Sequence, residues 1–154
     1  MKKRVVWAFM ILVLAAALFA GCKNNKEAKN VDLDAMGNKL LKEISWKDTM
    51  EPVDEAALYK IYTVKEEDVV KGVAYQSTGA TAEEIALWEC KDADAAKRVY
   101  EAMVERISDQ KESFTDYNPE ELDKLKSPVL VKSGNYVFLC LSDNNDKAKE
   151  LIGE

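Results

Sequence analysis

Apolar residues fall in two regimes along this chain: an unbroken run from Val5 to Phe19, and beyond it shorter sets whose spacing switches between helical and alternating. Leu33, Met36, Leu40, Leu41 and Ile44 keep to one face of a helix that Asp32 can cap. Gly37 inside that helix costs roughly 1 kcal/mol relative to Ala. A second short helix is predicted from Asp54 to about Ile61, after Pro52. Val69 to Gln76 is rich in β-branched residues, with Val69, Val73 and Tyr75 read onto one side, and it runs into the turn residues Ser77-Thr78-Gly79-Ala80. Glu83 to Lys91 carries two competing signals. Thr81 and Glu84 have the spacing of a helix capping box, whereas Ile85-Ala86-Leu87-Trp88 is a continuous apolar run of the length of a core strand. It is read as a strand that forms a hairpin with the preceding one.

The longest helix is predicted next, capped by Asp92 or Asp94, with Ala96, Val99, Met103 and Ile107 on the buried face and Tyr100, Val104 and Phe114 flanking. Asn118-Pro119-Glu120-Glu121 gives a start signal for a short helix to about Leu125, with Asn as cap, Pro first and Glu third. That helix must stop before Ser127-Pro128. Pro128 to Lys132 and Tyr136 to Ser142 read as two strands joined by Ser133-Gly134-Asn135, and a last helix follows from about Asn144 to Ile152. The order α-α-β-β-α-α-β-β-α, with two local hairpins, predicts a single small α+β domain: a mostly antiparallel sheet of about four strands packed by helices.

The apolar run changes the picture of where this domain resides. Lys2, Lys3 and Arg4 precede it and Ala20-Gly21-Cys22 close it, the pattern of a lipoprotein signal peptide cut before a cysteine. Leu18 stands four residues before Cys22 and Phe19 takes the slot that Leu usually fills. The run is shorter than the roughly 20 apolar residues of a membrane span. The expected organisation is a signal peptide over 1–21, a lipidated Cys22 with a polar tether over 22–30, and the α+β domain over 31–154. Lys23 to Asn30 has no branched or aromatic residue to bury, and eight such residues reach about 26–29 Å when extended. The expected localisation is the extracytoplasmic face of the cell membrane, held by acyl (palmitate-type) chains, or the outer membrane in a host with two membranes.

Charge and composition then exclude chemistries. Loss of Lys2, Lys3 and Arg4 with the leader moves the net charge from −6 to −9. Nucleic acid is not an expected partner; nor would an acidic domain adhere to anionic lipid by itself, so the membrane is met through the lipid on Cys22. The chain has no histidine, which removes Ser-His-Asp and Cys-His catalysis and the commonest metal ligand. With Cys22 committed, only Cys90 and Cys140 remain as thiols, too few for a zinc site of the ordinary kind. They read as two buried free cysteines, with a disulfide as the alternative. No catalytic residue, metal ligand or cofactor is expected.

What remains is a set of weak candidates. Ser77 to Thr81 could cradle a small ligand, but it lacks any phosphate-loop pattern and reads better as a hairpin turn. Asp143-Asn144-Asn145-Asp146 resembles a cation loop only in composition and reads as a helix cap. The pairs Glu83/Glu84 and Glu120/Glu121 could act as acid and base in glycoside cleavage, yet adjacent glutamates near element starts read as solvated charges. Trp46, Tyr59, Tyr62, Tyr117 and Tyr136 lie near element ends, where a ring can serve a binding surface as well as a core. The expected binding surface gathers Gly79, Thr81, Tyr117, Gly134 and Tyr136, on loops and turns held by the scaffold.

Three stretches carry a resemblance: Gly79-Ala80-Thr81-Ala82-Glu83-Glu84-Ile85-Ala86, then Asp109-Gln110-Lys111-Glu112-Ser113-Phe114 leading to Tyr117-Asn118-Pro119-Glu120-Glu121, and Gly134-Asn135-Tyr136-Val137-Phe138-Leu139. Together they resemble an uncharacterised bacterial lipoprotein family catalogued as a domain of unknown function (type 4358), over nearly all of the chain from about Val31. The resemblance implies a lipoprotein signal, a polar tether and one small domain, and transfers no activity. The expected function is a non-enzymatic binding or interaction module of the cell envelope, with an envelope protein or peptide as partner. The alternative is a cell-wall-directed hydrolase or a small-ligand receptor that works without histidine. A Ser-Lys nucleophile is conceivable in principle, but no convincing pairing of the two residue types is expected.

Overall fold

The computed structural model describes residues 30–153. The predicted signal peptide, Cys22 and the tether up to Lys29 lie outside the described residues. Elements follow in the order α1 (Leu33–Glu43), β1 (Glu51–Pro52), α2 (Glu55–Ile61), a 3₁₀ turn (Glu66–Asp68), β2 (Val69–Gln76), β3 (Glu84–Cys90), α3 (Ala93–Tyr117), a 3₁₀ turn (Pro119–Glu121), α4 (Leu122–Lys126), β4 (Val129–Ser133), β5 (Tyr136–Leu141) and α5 (Asn145–Ile152). The strands form one antiparallel sheet in the order β1-β2-β3-β5-β4. The two predicted hairpins are both present, and the predicted four strands gain a fifth, two-residue edge strand that ends on Pro52, a residue suited to an edge because it has no N–H to donate.

Side-chain alternation decides the layering. In β3, Ile85 and Leu87 enter one apolar cluster while Ala86, Trp88 and Cys90 enter the other; in β5, Tyr136, Phe138 and Cys140 part in the same way from Val137, Leu139 and Leu141. Both central strands are therefore buried on both faces. α1 and α5 supply Leu33, Leu40, Ile44, Ala148 and Leu151 to one cluster; α2, α3 and α4 supply Leu58, Val99, Met103, Ile107, Phe114 and Leu125 to the other. This two-sided cover is why Ile85 to Trp88 reads as continuous and not alternating. Val69 corrects the reading that put it beside Val73 and Tyr75. One extra residue bulges β2 between Val69 and Lys71, and Val69 joins the opposite cluster.

Caps hold where the sequence placed them: Asp32 accepts from Ala35 N at 3.1 Å, Asp92 from Ala95 N at 2.7 Å, and Asn144 from Lys147 N at 3.1 Å. The Asn118 signal is corrected. Pro119–Glu121 forms a 3₁₀ turn, Asn118 makes no side-chain cap, and its Nδ2 donates instead to Ala80 O at 3.3 Å.

Gly72 is fixed by space. A Cβ there would stand 2.6 Å from Leu58 Cδ2 and 2.8 Å from Trp88 Cζ3. Gly72→Val is expected to destabilise by about 1–3 kcal/mol through overpacking, which a denaturant titration would read as a lower midpoint at unchanged slope.

Cys90 and Cys140 are both buried and free and sit on opposite faces of the sheet, so the disulfide alternative is excluded. Burial pushes their thiols up to about 11 and about 12. Neither is expected to react with a maleimide at pH 8 in the folded chain, and both should react once guanidinium unfolds it.

α3 is pinned near its start to the 3₁₀ turn before β2, where the Arg98 guanidinium donates to Asp68 from Nε at 2.9 Å and Nη2 at 2.5 Å. The hydrogen bond from Arg98 holds the Asp68 carboxyl below its usual range. A depressed folded value adds stability that is present above the unfolded pKa of about 3.9 and lost as pH falls through the folded value. Asp68→Asn should therefore lie below the unsubstituted chain in stability at pH 7, with the gap closing below pH 4.

Candidate binding cleft

The end of β2, the β2–β3 turn and the C-terminal half of α3 enclose a cleft of about 420 Å³, a size typical of small-molecule sites. Gln76, Ser77, Gly79 and Thr81 form one wall; Arg106, Gln110, Ser113, Phe114 and Tyr117 form the other. The helical wall is a stripe: spacings of four, three and four place Arg106, Gln110, Ser113 and Tyr117 on one side of α3, beside the apolar face that holds Met103, Ile107 and Phe114. The turn wall is set by Gly79, whose φ of 97° is a left-handed conformation that glycine adopts without strain. Ser77 Oγ closes the turn by donating to Thr81 O at 2.6 Å.

Glu84 forms the floor. Its side chain is 1% exposed, and it accepts from Arg106 Nη2 at 2.7 Å and Nε at 3.2 Å, from Gln110 Nε2 at 3.1 Å and from Gln76 Nε2 at 3.2 Å. Gln76 Nε2 also donates to Tyr62 Oη at 3.3 Å, and the Arg106 guanidinium lies 5.6 Å from the centre of the Tyr62 ring. Burial, and next to it the Glu84 carboxylate, keeps the Tyr62 hydroxyl protonated well above the ordinary phenol range.

Glu83 and Glu121 are buried as well. Glu83 accepts from the backbone N–H groups of Lys47 and Asp48 at 2.9 and 3.0 Å and from Thr81 Oγ1 at 3.0 Å. Glu121 accepts from Ala82 N at 2.8 Å and pairs with the buried Lys124 Nζ at 2.6 Å. Asp143 extends this network to Lys47 at 3.0 Å and Lys124 at 3.6 Å. The reading of both glutamate pairs as solvated is thus wrong for Glu83, Glu84 and Glu121, and right for the exposed Glu120. The capping-box reading of Thr81 and Glu84 fails for the same reason: Glu84 opens a strand and is drawn to Arg106.

Glu84 gathers four donor contacts on Oε2, and its Oε1 takes only Arg106 Nε at 3.3 Å, an ion-paired arrangement that suits a rigid scaffold better than a proton-transferring pair. The chain does contain one Ser-x-x-Lys spacing, Ser108 to Lys111, on α3; both residues are exposed and no hydrogen bond joins them. Among the described residues no cluster of three or more His, Cys, Asp or Glu could hold a metal ion.

Of the five residues expected to form a binding surface, the structure brings together three. Gly79, Thr81 and Tyr117 all line the cleft, and Tyr117 is 68% exposed. Gly134 and Tyr136 lie at the other end of the sheet: Tyr136 pairs with Glu89, five residues along β3 from Glu84 and so roughly 17 Å away. Tyr136 is buried, stacks on Phe138 with ring centres 5.9 Å apart, and its hydroxyl accepts from Val31 N. Tyr62 is core, Tyr59 packs against it, and Trp46 donates to Leu41 O. Gln76, Arg106, Gln110 and Ser113 were missed. The polar stripe on α3 was the available signal, overlooked because a polar helix face reads as solvated by default.

A family model described as "Domain of unknown function (DUF4358)" matches residues 42–142, from the last turn of α1 through β5, and so includes the whole cleft. Comparison with curated proteins and with solved structures gave no match.

Proposed function

Since the chain belongs to the DUF4358 family, a domain of unknown function, we propose that it is a membrane-anchored extracytoplasmic lipoprotein whose domain binds a component of the cell envelope through this cleft. The observation that carries the reading is the contrast within the cleft. Its floor is locked by the buried Glu84, ion-paired with Arg106, while Tyr117 stands exposed at its rim, braced by Phe114 with ring centres 5.9 Å apart. Exposed aromatics on a rigid support are characteristic of recognition surfaces. Anchoring is supported by Lys2 to Arg4, the apolar run and Cys22. A hydrolase finds less support, because the floor carboxylate of Glu84 is 1% exposed and ion-paired with Arg106.

Site-specific photo-crosslinking in intact cells tests the proposal. A benzophenone amino acid at position 117 of the full chain is expected to give a discrete adduct with an envelope component, polypeptide or glycan. The adduct should be lost in Cys22→Ala and absent when the probe replaces Val104, an exposed residue of the same helix. Equal yields at 104 and 117, or an adduct indifferent to Cys22, would contradict it.

A further inference from the structure

The hydrogen-bonding groups left over in the cleft describe what can occupy it. Charge is settled internally: Arg106 is committed to Glu84, and Glu83 is held by backbone N–H donors and Thr81. An anionic ligand would find no cation whose charge is not already balanced, and a cationic one would find the Glu84 carboxylate already paired. Gln76 and Gln110 both spend their amide nitrogens on Glu84. Their carbonyl oxygens take no hydrogen bond from the chain, and neither is sealed in the interior. Arg106 Nη1 is in the same state, and Ser113, an exposed residue, has a hydroxyl with no partner in the chain. The cleft therefore offers a charge-balanced mixture of acceptors and donors on its walls, beside the exposed ring of Tyr117.

Resting on the binding reading above, we infer that the cleft takes a neutral saccharide. Hydroxyls on successive carbons both donate and accept, as this mixture requires, and the C–H face of a sugar ring suits the negative face of an aromatic ring. An extended peptide fits less well. Beside the cleft the end of β2 is already paired by β1, at Glu51 to Gln76 and Pro52 to Tyr75, and the edge that β1 presents in its place is two residues long and ends on Pro52, too short for a main-chain ladder.

The test is saturation-transfer NMR on the full chain in detergent micelles, with an N-acetylglucosamine trisaccharide, maltotriose and a capped alanine tripeptide as probes. Transfer to at least one trisaccharide is expected, at least tenfold weaker in Tyr117→Ala, retained in Tyr117→Trp and unchanged in Val104→Ala. Both positions are exposed, and circular dichroism would verify the fold of each variant. Transfer to the tripeptide alone, silence from both sugars, or transfer indifferent to Tyr117→Ala would overturn the inference. A second arm identifies the source: sedimentation of the chain with isolated cell-wall sacculi, competed by the trisaccharide, points to wall glycan, and trisaccharide binding without sedimentation points to a free sugar. Either supports the saccharide class. A polypeptide adduct from position 117 with silent sugar spectra overturns the saccharide and leaves the binding reading standing; neither adduct nor transfer overturns both.

Discussion

Arg106→Met is expected to lower the stability of the domain by about 3–5 kcal/mol, the usual cost of removing one partner from a buried ion pair. Met retains much of the apolar stem but leaves Glu84, 1% exposed, with only the amides of Gln76 and Gln110 for its charge. The stacking of the guanidinium over Tyr62 is lost in the same step. Replacing both partners, as in Glu84→Leu with Arg106→Met, should cost less than the two single changes added together, because no uncompensated charge then stays inside. It should not restore full stability, since the Gln76 and Gln110 amides lose their acceptor. Urea titrations of the three variants measure this coupling. A single-site loss below about 1 kcal/mol would mean that the pair behaves as an exposed one and that the floor is not rigid.

Tyr117→Ala should do the opposite: leave stability within about 0.5 kcal/mol, as exposed substitutions usually do, and remove most of the binding. Tyr117 ends α3 at 68% exposure, with its ring tilted by 56° against Phe114 at 5.9 Å between centres. An aromatic anchor at an interface is commonly worth about 2 kcal/mol, a fall of about thirtyfold in affinity. The readout is the adduct yield from a photo-probe at Ser113, which faces the same cleft. Yield that persists in Tyr117→Ala would remove the ring from the recognition surface, while a fall accompanied by unfolding would mark it as a structural residue.

Why the sequence revealed the elements but only part of the site follows from particular residues. Periodicity read α1, β2, α3 and the β4–β5 hairpin because their apolar sets are local, and Asp32, Asp92 and Asn144 cap helices through donors three residues away. The two glutamate pairs were misread because their partners are remote. Glu84 meets Arg106 across 22 residues, Glu83 meets Lys47 across 36, and Glu121 meets Ala82 N across 39. No local pattern distinguishes a carboxylate bound for such partners from one bound for water. The bulge that turns Val69 over is likewise set by pairing with Cys90 and not by the residues around Val70. Gly79 and Tyr117 were read together because turns and exposed aromatics carry binding generally; Gly134 was grouped with them on the same rule, and strand direction carried it to the other end of the sheet.

The most direct test of where this domain binds is hydroxyl-radical footprinting of the full chain, with and without solubilised envelope, read residue by residue. Binding through the cleft predicts protection at Tyr117 and along the Ser77 to Thr81 turn, with Val104, Val70 and the Gly134 turn unchanged. Protection confined to Val70 or to the Gly134 turn, with Tyr117 still fully oxidised, would contradict it.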